Sequence, residues 1–243
     1  MDGATQVASF RYKKDATKMA EENGLDIEKE TVLEPVENAL HIAKEMILRI
    51  LQSTKAKDQQ IYLTGEGNYR EQIATIKPYK GNRAQERPIH YQAVRDYLIS
   101  RFDAIVVDGI EADDKLGIEQ WTDKEPTIIC SIDKDLDMIP GWHYNWDKEE
   151  KYWIDEEAGY RNFYKQVLTG DTVDNIPGIF GLGKVTAEEL LSGISSPREM
   201  EEVVLKQYIL AYGDKAETIL QEVGSLLWIQ REDNQRWQLG SFS

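Results

Sequence analysis

Glu111, Asp113 and Asp114 put three carboxylates within four residues, where the apolar run Ala104–Val107 gives way to a helix-like stretch from about Ala112 to Trp121. An acid at a helix start can accept hydrogen bonds from free backbone N–H groups and complement the helix dipole, worth roughly 0.5–2 kcal/mol. One acid suffices for a cap. Three so close repel one another and raise each other's pKa unless a cation holds them. Capping and divalent-cation binding are the two readings of this cluster, and acids elsewhere in the chain bear on the choice. Asp133 and Asp135 form a second group, with Asp137 beside them read as solvated or capping. Asp171 and Asp174 form a third; three residues apart, they would face the same way on one helical turn.

The elements that must position these acids can be read from patterning. Phe102–Val107 and Pro126–Ile132 read as fully buried strands separated by one helix, a βαβ unit with parallel strands. Open parallel sheets place ligand sites at the C-terminal ends of their strands, where the first two acidic groups lie. Upstream, Val36, Leu40, Ala43, Met46, Ile47, Ile50 and Leu51 recur at helical spacing, and Ile61–Leu63 reads as a short strand before the breaker-rich Thr64–Asn68. Gly141–Trp146 and Lys151–Ile154 predict a β-hairpin, with His143 structural. A helix follows from about Asp155 to Leu168, and the segment after Ser195 is helical.

The chain has 243 residues and a formal net charge of −15, which argues against nucleic-acid binding by overall charge. Mean hydropathy is −0.55, no apolar run approaches the roughly 18 residues of a membrane helix, and the N-terminus does not resemble a signal peptide. A single cysteine, Cys130, excludes disulfide frameworks and thiolate metal sites. The charge changes sign locally, however. Between Tyr69 and Arg101 seven cations face three carboxylates, interleaved with Tyr69, Tyr79, Tyr91 and Tyr97. Cations for phosphates and aromatics for bases are the components of a single-strand nucleic-acid surface. Lys77–Arg83, with Pro78 and Gly81, reads as a loop whose cations lack acidic partners nearby. Further on, Gly178, Gly181 and Gly183 precede Lys184 and Thr186 at a helix start, a hairpin whose backbone N–H groups could meet a phosphate.

Glu-Ala-Asp-Asp at 111–114, Ser-Ile-Asp-Lys-Asp at 131–135, Gly-Asp-Thr-Val-Asp-Asn-Ile-Pro-Gly at 170–178 and the Gly-Leu-Gly-Lys hairpin resemble, in order and spacing, the 5′ nucleases. That family includes bacteriophage 5′–3′ exonucleases, flap endonucleases and the 5′-nuclease domains of bacterial repair polymerases. The likeness covers about residues 60–192, and Tyr79–Arg83 matches the family's arch motif. It implies an α/β, PIN/resolvase-like fold with a mostly parallel sheet in residues 1–168, a helical arch at about 69–101, and a helix–hairpin–helix region with C-terminal helices in 169–243. It also implies a divalent-metal-dependent 5′–3′ exonuclease and 5′-flap endonuclease acting on DNA. By resemblance, Asp2, Glu111, Asp113 and Asp114 would serve the first metal, Asp133 would lie near both, and Asp135, Asp171 and Asp174 would complete the second. Lys80 and Arg83 would act on the scissile phosphate. Tyr79, Gly178, Gly181, Gly183, Lys184 and Thr186 would join them in contacting DNA, with a K+ ion at the Gly178–Gly183 hairpin.

Donor chemistry agrees with that assignment. Oxygen donors without spare histidine or cysteine suit Mg2+ or Mn2+, and two such ions about 4 Å apart can activate water and stabilise a departing 3′ oxygen without a protein nucleophile. The expected partners are DNA with 5′ ends, nicks or flaps, and RNA in RNA–DNA hybrids; the chain is expected to be a monomer in the cytoplasm, the host's if phage-encoded. One departure from the family is that the chain starts at Met1-Asp2, without an apolar strand ahead of its first Asp-Gly. Two alternatives belong to other classes: a catalytically impaired DNA-binding accessory protein of the same fold, and a phosphohydrolase for small esters. The second needs a nucleophilic aspartate pattern that Asp2-Gly3-Ala4 lacks.

Overall fold

The computed structural model describes residues 34–83, 87–123 and 126–241. The chain divides into two compact units, Met1–Ile61 with Gln85–Ile105, and Tyr62–Ala84 with Val106–Ser243. The expected arch segment is thus shared between the units, and the expected boundary at residue 168 falls inside the second.

In the first unit, helix α1 (Val36–Thr54) buries Ala39 and Ala43. Helix α3 (Tyr91–Phe102) buries Val94 and Leu98. His90 Nε2 lies 2.7 Å from the Glu34 carbonyl, tying together the entries to the two helices.

The second unit holds the short helix α2 (Tyr69–Ile73) and most of the strands. Strand β1 (Tyr62–Thr64) pairs with β2 (Ile105–Val107), and β3 (Ile128–Cys130), β4 (Gly141–Asn145) and β5 (Glu150–Ile154) form a second ladder. β3 runs parallel to β4, and β4 antiparallel to β5. The β4–β5 hairpin is as expected, and His143 is indeed buried, its Nε2 2.8 Å from the Ile139 carbonyl. Two expectations change. β2 and β3, read as neighbours in one βαβ sheet, lie in separate ladders among the described residues. β2 also begins later than the apolar run suggested, and Ile105 and Val106 are 45% and 40% exposed rather than buried. Apolar composition reports the preference for burial, not the presence of a cover.

Helix α4 (Ala112–Thr122) starts on the end of β1, where the Thr64 hydroxyl accepts the Ala112 N–H at 3.0 Å. Helix α5 (Glu156–Thr169) is the spine of the core. The Asp155 side chain caps it by accepting the Ala158 N–H, and Gly170, at φ 70°, ends it. Its Phe163, Tyr164, Val167 and Leu168 are fully buried. They pack in one cluster with Ala187 and Leu191 of α6 (Lys184–Leu191), Met200, Val204 and Tyr208 of α7 (Pro197–Tyr212), and Leu220 and Val223 of α8 (Ala216–Leu227). The segment after α8 returns across this core. Arg231 donates to the Met138 carbonyl at 2.9 Å, with its guanidinium 4.4 Å from the Tyr160 ring and 4.8 Å from that of Trp228. No helix among the described residues is long and apolar enough to cross a membrane.

Candidate active site

Glu111 is the N-cap of α4 and forms a capping box with Asp114, each side chain accepting the other's backbone N–H. Capping was one of the two readings of this cluster; the partner of Asp114 was not legible. Arg70, 44 residues away, meets Asp114 through two hydrogen bonds of 2.6 and 2.8 Å. Asp114 also accepts the Gln230 N–H at 3.1 Å and is wholly buried. Arg70 donates further to the Leu226 and Trp228 carbonyls. Asp114, expected at the first metal, therefore has both oxygens engaged by protein. Arg70 and Tyr69, counted toward a basic aromatic surface, are 2% and 5% exposed and belong to the interior.

Asp113 has a different environment. Burial first, then the charges of Asp133 and Glu111, push its carboxyl from an ordinary 3.8 up to about 7, with partial relief from Lys80. Asp133 is exposed and caps the short 3-10 turn Lys134–Met138 by accepting the Asp135 N–H at 2.9 Å. Asp135 is also pushed up to about 7, by burial and then by Asp133 and Asp171. Gln166 of α5 fixes it with a 2.6 Å hydrogen bond. Asp137, read as solvated or capping, accepts the Tyr152 hydroxyl at 2.7 Å.

The third acidic group sits on a tight hairpin rather than a helical turn. β6 (Gly170–Asp171) and β7 (Ile176–Pro177) pair Gly170 with Pro177 and Asp171 with Ile176. The approach is so close that a Cβ on Gly178 would lie 2.1 Å from the Thr169 carbonyl carbon, so only glycine fits. The hairpin separates its two acids. Asp171 accepts the Val173 N–H at 2.7 Å and faces Asp135, while Asp174 turns to residues 79–83.

Those residues are not a free cationic loop. Lys80 pairs with Glu111 and lies 3.6 Å from Asp174, and Arg83 pairs with Asp174. Their partners are 31 and 91 residues away, beyond any local charge count. Tyr79, expected among the DNA contacts, is instead buried with its hydroxyl 2.9 Å from both Glu111 and Asp174. Burial, then Glu111, raises its pKa far above the ordinary range, so it stays a neutral hydroxyl with one proton to donate. The base of the segment is clamped by Glu222 of α8, which accepts the Thr75 and Ile76 N–H groups at 2.7 and 2.8 Å.

The structure thus brings Glu111, Asp113, Asp133, Asp135, Asp171 and Asp174 into one chain of neighbours, with Lys80 and Arg83 against it. Asp2 lies outside the described residues. Gly181, at φ 79°, and Gly183, the N-cap of α6, shape the second hairpin, with Lys184 and Thr186 exposed beside them. Arg70, Gln166, Glu222, Asn82 and Asn175 are supporting residues that sequence reasoning missed; the only signal was the presence of both asparagines inside the motifs.

Among the described residues no three acids converge in a geometry that could hold a metal ion. Protein cations account for this in part: Arg70 occupies Asp114, Lys80 occupies Glu111 and Arg83 occupies Asp174. The donor chemistry still fits a hard cation. Burial and then neighbouring acids push Asp113 and Asp135 both up to about 7, and a divalent ion among them would relieve the repulsion.

No protein-family model matches the chain. A DNA polymerase I of Pseudomonas aeruginosa is 30% identical over 133 residues, which is 49% of this chain and 14% of the polymerase. A 5′-3′ exonuclease of Mycoplasmopsis pulmonis is 26% identical over 176 residues, 65% of this chain and 59% of that protein. The match therefore spans less than two thirds of either relative's length. Among solved structures, T5 5′-exonuclease with bound divalent zinc ions aligns with a TM-score of 0.57 at 17% identity, covering 90% of this chain and 83% of that one. The bacteriophage T5 D15 flap endonuclease in a pseudo-enzyme-product complex with DNA and metal ions aligns at 0.51 and 16% identity, covering 79% and 86%. The chain has the α/β fold of the T5 5′-exonuclease, and the curated sequences it resembles are a 5′-3′ exonuclease and DNA polymerase I.

Proposed function

We propose that the chain is a divalent-metal-dependent 5′ nuclease that hydrolyses DNA phosphodiester bonds at 5′ ends and flaps. The observation that carries this reading is that acids from three connections lie in one chain of neighbours, with Asp113 and Asp135 both pushed up to about 7 by burial and then by the acids beside them. Bringing Asp113, Asp133, Asp135 and Asp171 together with only partial relief from Lys80 and Lys134 is costly without a cation to receive. The similarity to a 5′-3′ exonuclease and to metal-bound T5 structures supports the same conclusion.

Asp113, Asp133, Asp135 and Asp171 would hold Mg2+ or Mn2+, joined by Glu111 and Asp174 once Lys80 and Arg83 leave them. Bound ions supply activation of water and charge stabilisation at the phosphate. Asp114 acts at one remove, holding the start of α4 against Arg70 so that Asp113 is presented. Lys80 and Arg83, released from their acids, neutralise the substrate phosphate. The Tyr79 hydroxyl lies between Glu111 and Asp174 and donates its one proton to one of them at a time. The Gly178–Lys184 hairpin and α6 form a helix–hairpin–helix element that receives duplex backbone at exposed N–H groups, Lys184 and Thr186, with a K+ ion at the hairpin. RNA–DNA hybrids belong to the same substrate class, and the active species is a monomer.

A 3′-labelled nicked or 5′-flap duplex incubated with Mg2+, with and without chelator, tests the reading. Chelator-sensitive cleavage that Asp113→Asn and Asp135→Asn each reduce by at least about 100-fold is expected. Cleavage insensitive to chelator, or undiminished in both variants, would overturn it.

A further inference from the structure

Residues 77–83 and 171–175 are joined by two kinds of tie. The ionic ones, from Arg83 and Lys80 to Asp174, use carboxylate oxygens. The neutral ones do not. Asn82 Nδ2 donates to the Thr172 carbonyl at 2.7 Å, and Asn175 Nδ2 donates to the Pro78 carbonyl at 2.8 Å. Between them the Lys80 N–H donates to the Asp174 carbonyl at 2.9 Å. The two carboxamides reach in opposite directions, each from its own segment to the backbone of the other.

Both segments accept backbone strain in order to make these ties. Asn175 has φ 60° and Lys80 φ 55°, in the left-handed region that ordinary side chains avoid. Asparagine tolerates this region better than most residues, and at 175 the conformation aims the carboxamide back at Pro78. Pro78 is also the start of the turn that Lys80 completes, since its carbonyl accepts the Gly81 N–H at 3.0 Å. One carbonyl therefore carries both the local turn and the tie to the acidic hairpin.

We infer that Asn82 and Asn175 are positioning residues for strand cleavage, fastening the segment that bears Lys80 and Arg83 to the hairpin that bears Asp171 and Asp174. The inference rests on the nuclease reading above. Its logic is one of survival. Glu111 and Asp174 would give their oxygens to a divalent cation when one is bound, so the ionic ties would yield when Lys80 and Arg83 are needed over the phosphate. The carboxamide ties involve no acid oxygen and persist, keeping the two cations over the acids when their own ion pairs have gone. Without the ties, release from the acids becomes release of the whole segment.

The test uses Asn82→Ala, Asn175→Gly and the double variant; glycine at 175 removes the carboxamide and keeps the left-handed backbone. Trypsin reports on the segment directly, because Lys77 and Arg87 each precede proline and resist cleavage, leaving Lys80 and Arg83 as the sites within 77–87. With saturating Mg2+, each single variant should be cut there about fivefold faster than wild type and the double about 25-fold faster. Single-turnover cleavage of the flap duplex should fall by about the same factors, with KM and Mn2+ affinity changed less than about threefold. A merely structural role would not reproduce one further result: Arg83→Ala should slow the wild type more than it slows the double variant, because an unfastened arginine has less to lose. Equal trypsin rates in wild type and double variant would overturn the inference, as would faster proteolysis with an unchanged cleavage rate. Wild-type protein that does not cleave at all would instead sink the nuclease reading, and the positioning role with it.

Discussion

Arg70 and Asp114 meet through two hydrogen bonds of 2.6 and 2.8 Å in a place that excludes solvent from both. Breaking such a pair from one side leaves an uncompensated charge in the interior, at a cost of about 3–5 kcal/mol. Asp114→Asn should lower the urea midpoint of the metal-free protein substantially. Asp113→Asn should not, because it removes a repelled carboxylate; it should leave stability unchanged or raised while weakening Mn2+ binding at least about tenfold. Paired denaturation and metal titration of the two variants check this. Equal destabilisation by both would contradict the division between a scaffolding acid and a ligand.

The pH dependence of the metal-free protein follows from Asp113 and Asp135. Burial, and then the acids beside them, push both carboxyls from an ordinary 3.8 up to about 7 in the folded chain. Between those values the native state binds more protons than the unfolded one, so their contribution to stability falls as pH rises. The effect should be about 2–3 kcal/mol for each carboxyl, on the order of 5 kcal/mol for the two together, between pH 5 and pH 8. Saturating Mg2+ should flatten or reverse the slope, since ions replace the protons. Thermal melts at several pH values, with and without metal, give the answer; a metal-free protein whose melting temperature climbs from pH 5 to pH 8 would count against the crowding.

Gly178→Ala should do more harm than its size suggests. The added methyl meets the Thr169 backbone, which has no flexible end to move aside. Overpacking of this kind costs about 1–3 kcal/mol. The β6–β7 pairing must open to accept it, displacing Asp171 and Asp174 together. Mn2+ affinity should therefore fall along with melting temperature, whereas Gly183→Ala, with nothing within 4 Å of its added Cβ, should leave both near wild type.

Lys184→Ala addresses the second hairpin. Loss of one phosphate contact should weaken duplex binding with little regard to sequence and reduce the slope of log affinity against log salt by about one. Fluorescence anisotropy across a salt series measures it. An unchanged slope would remove Lys184 from the interface.

Much of the architecture was legible in the chain. Helix α1 carried its periodicity openly, α4 and α5 were expected close to their observed bounds, and the β4–β5 hairpin was marked by its aromatic strands and charged turn. The acidic motifs were legible as acids. What local reading missed was which acids were already occupied. Lys80 and Arg83 seemed unpartnered because Glu111 and Asp174 are remote in sequence, and Arg70 counted toward a surface although it is buried against Asp114. Asp171 and Asp174 were assigned one face by a helical spacing rule, and the glycines at 170 and 178 that make a hairpin there work through a backbone contact that no spacing rule contains. Charge and periodicity are properties of a segment; neutralisation and close approach are properties of pairs brought together by the fold.

The anchoring of Arg70 and Asp114 to Leu226, Trp228 and Gln230 also sets an order of events during synthesis. All the acids of the described site are translated by residue 174, yet the start of α4 has no complete lock until residues near 230 have left the ribosome. A nascent chain paused before that point carries all of these acids and lacks the frame that aligns them. Timing is thereby written into the fold: the stretch near residue 230 decides when the start of α4 is locked around Asp114.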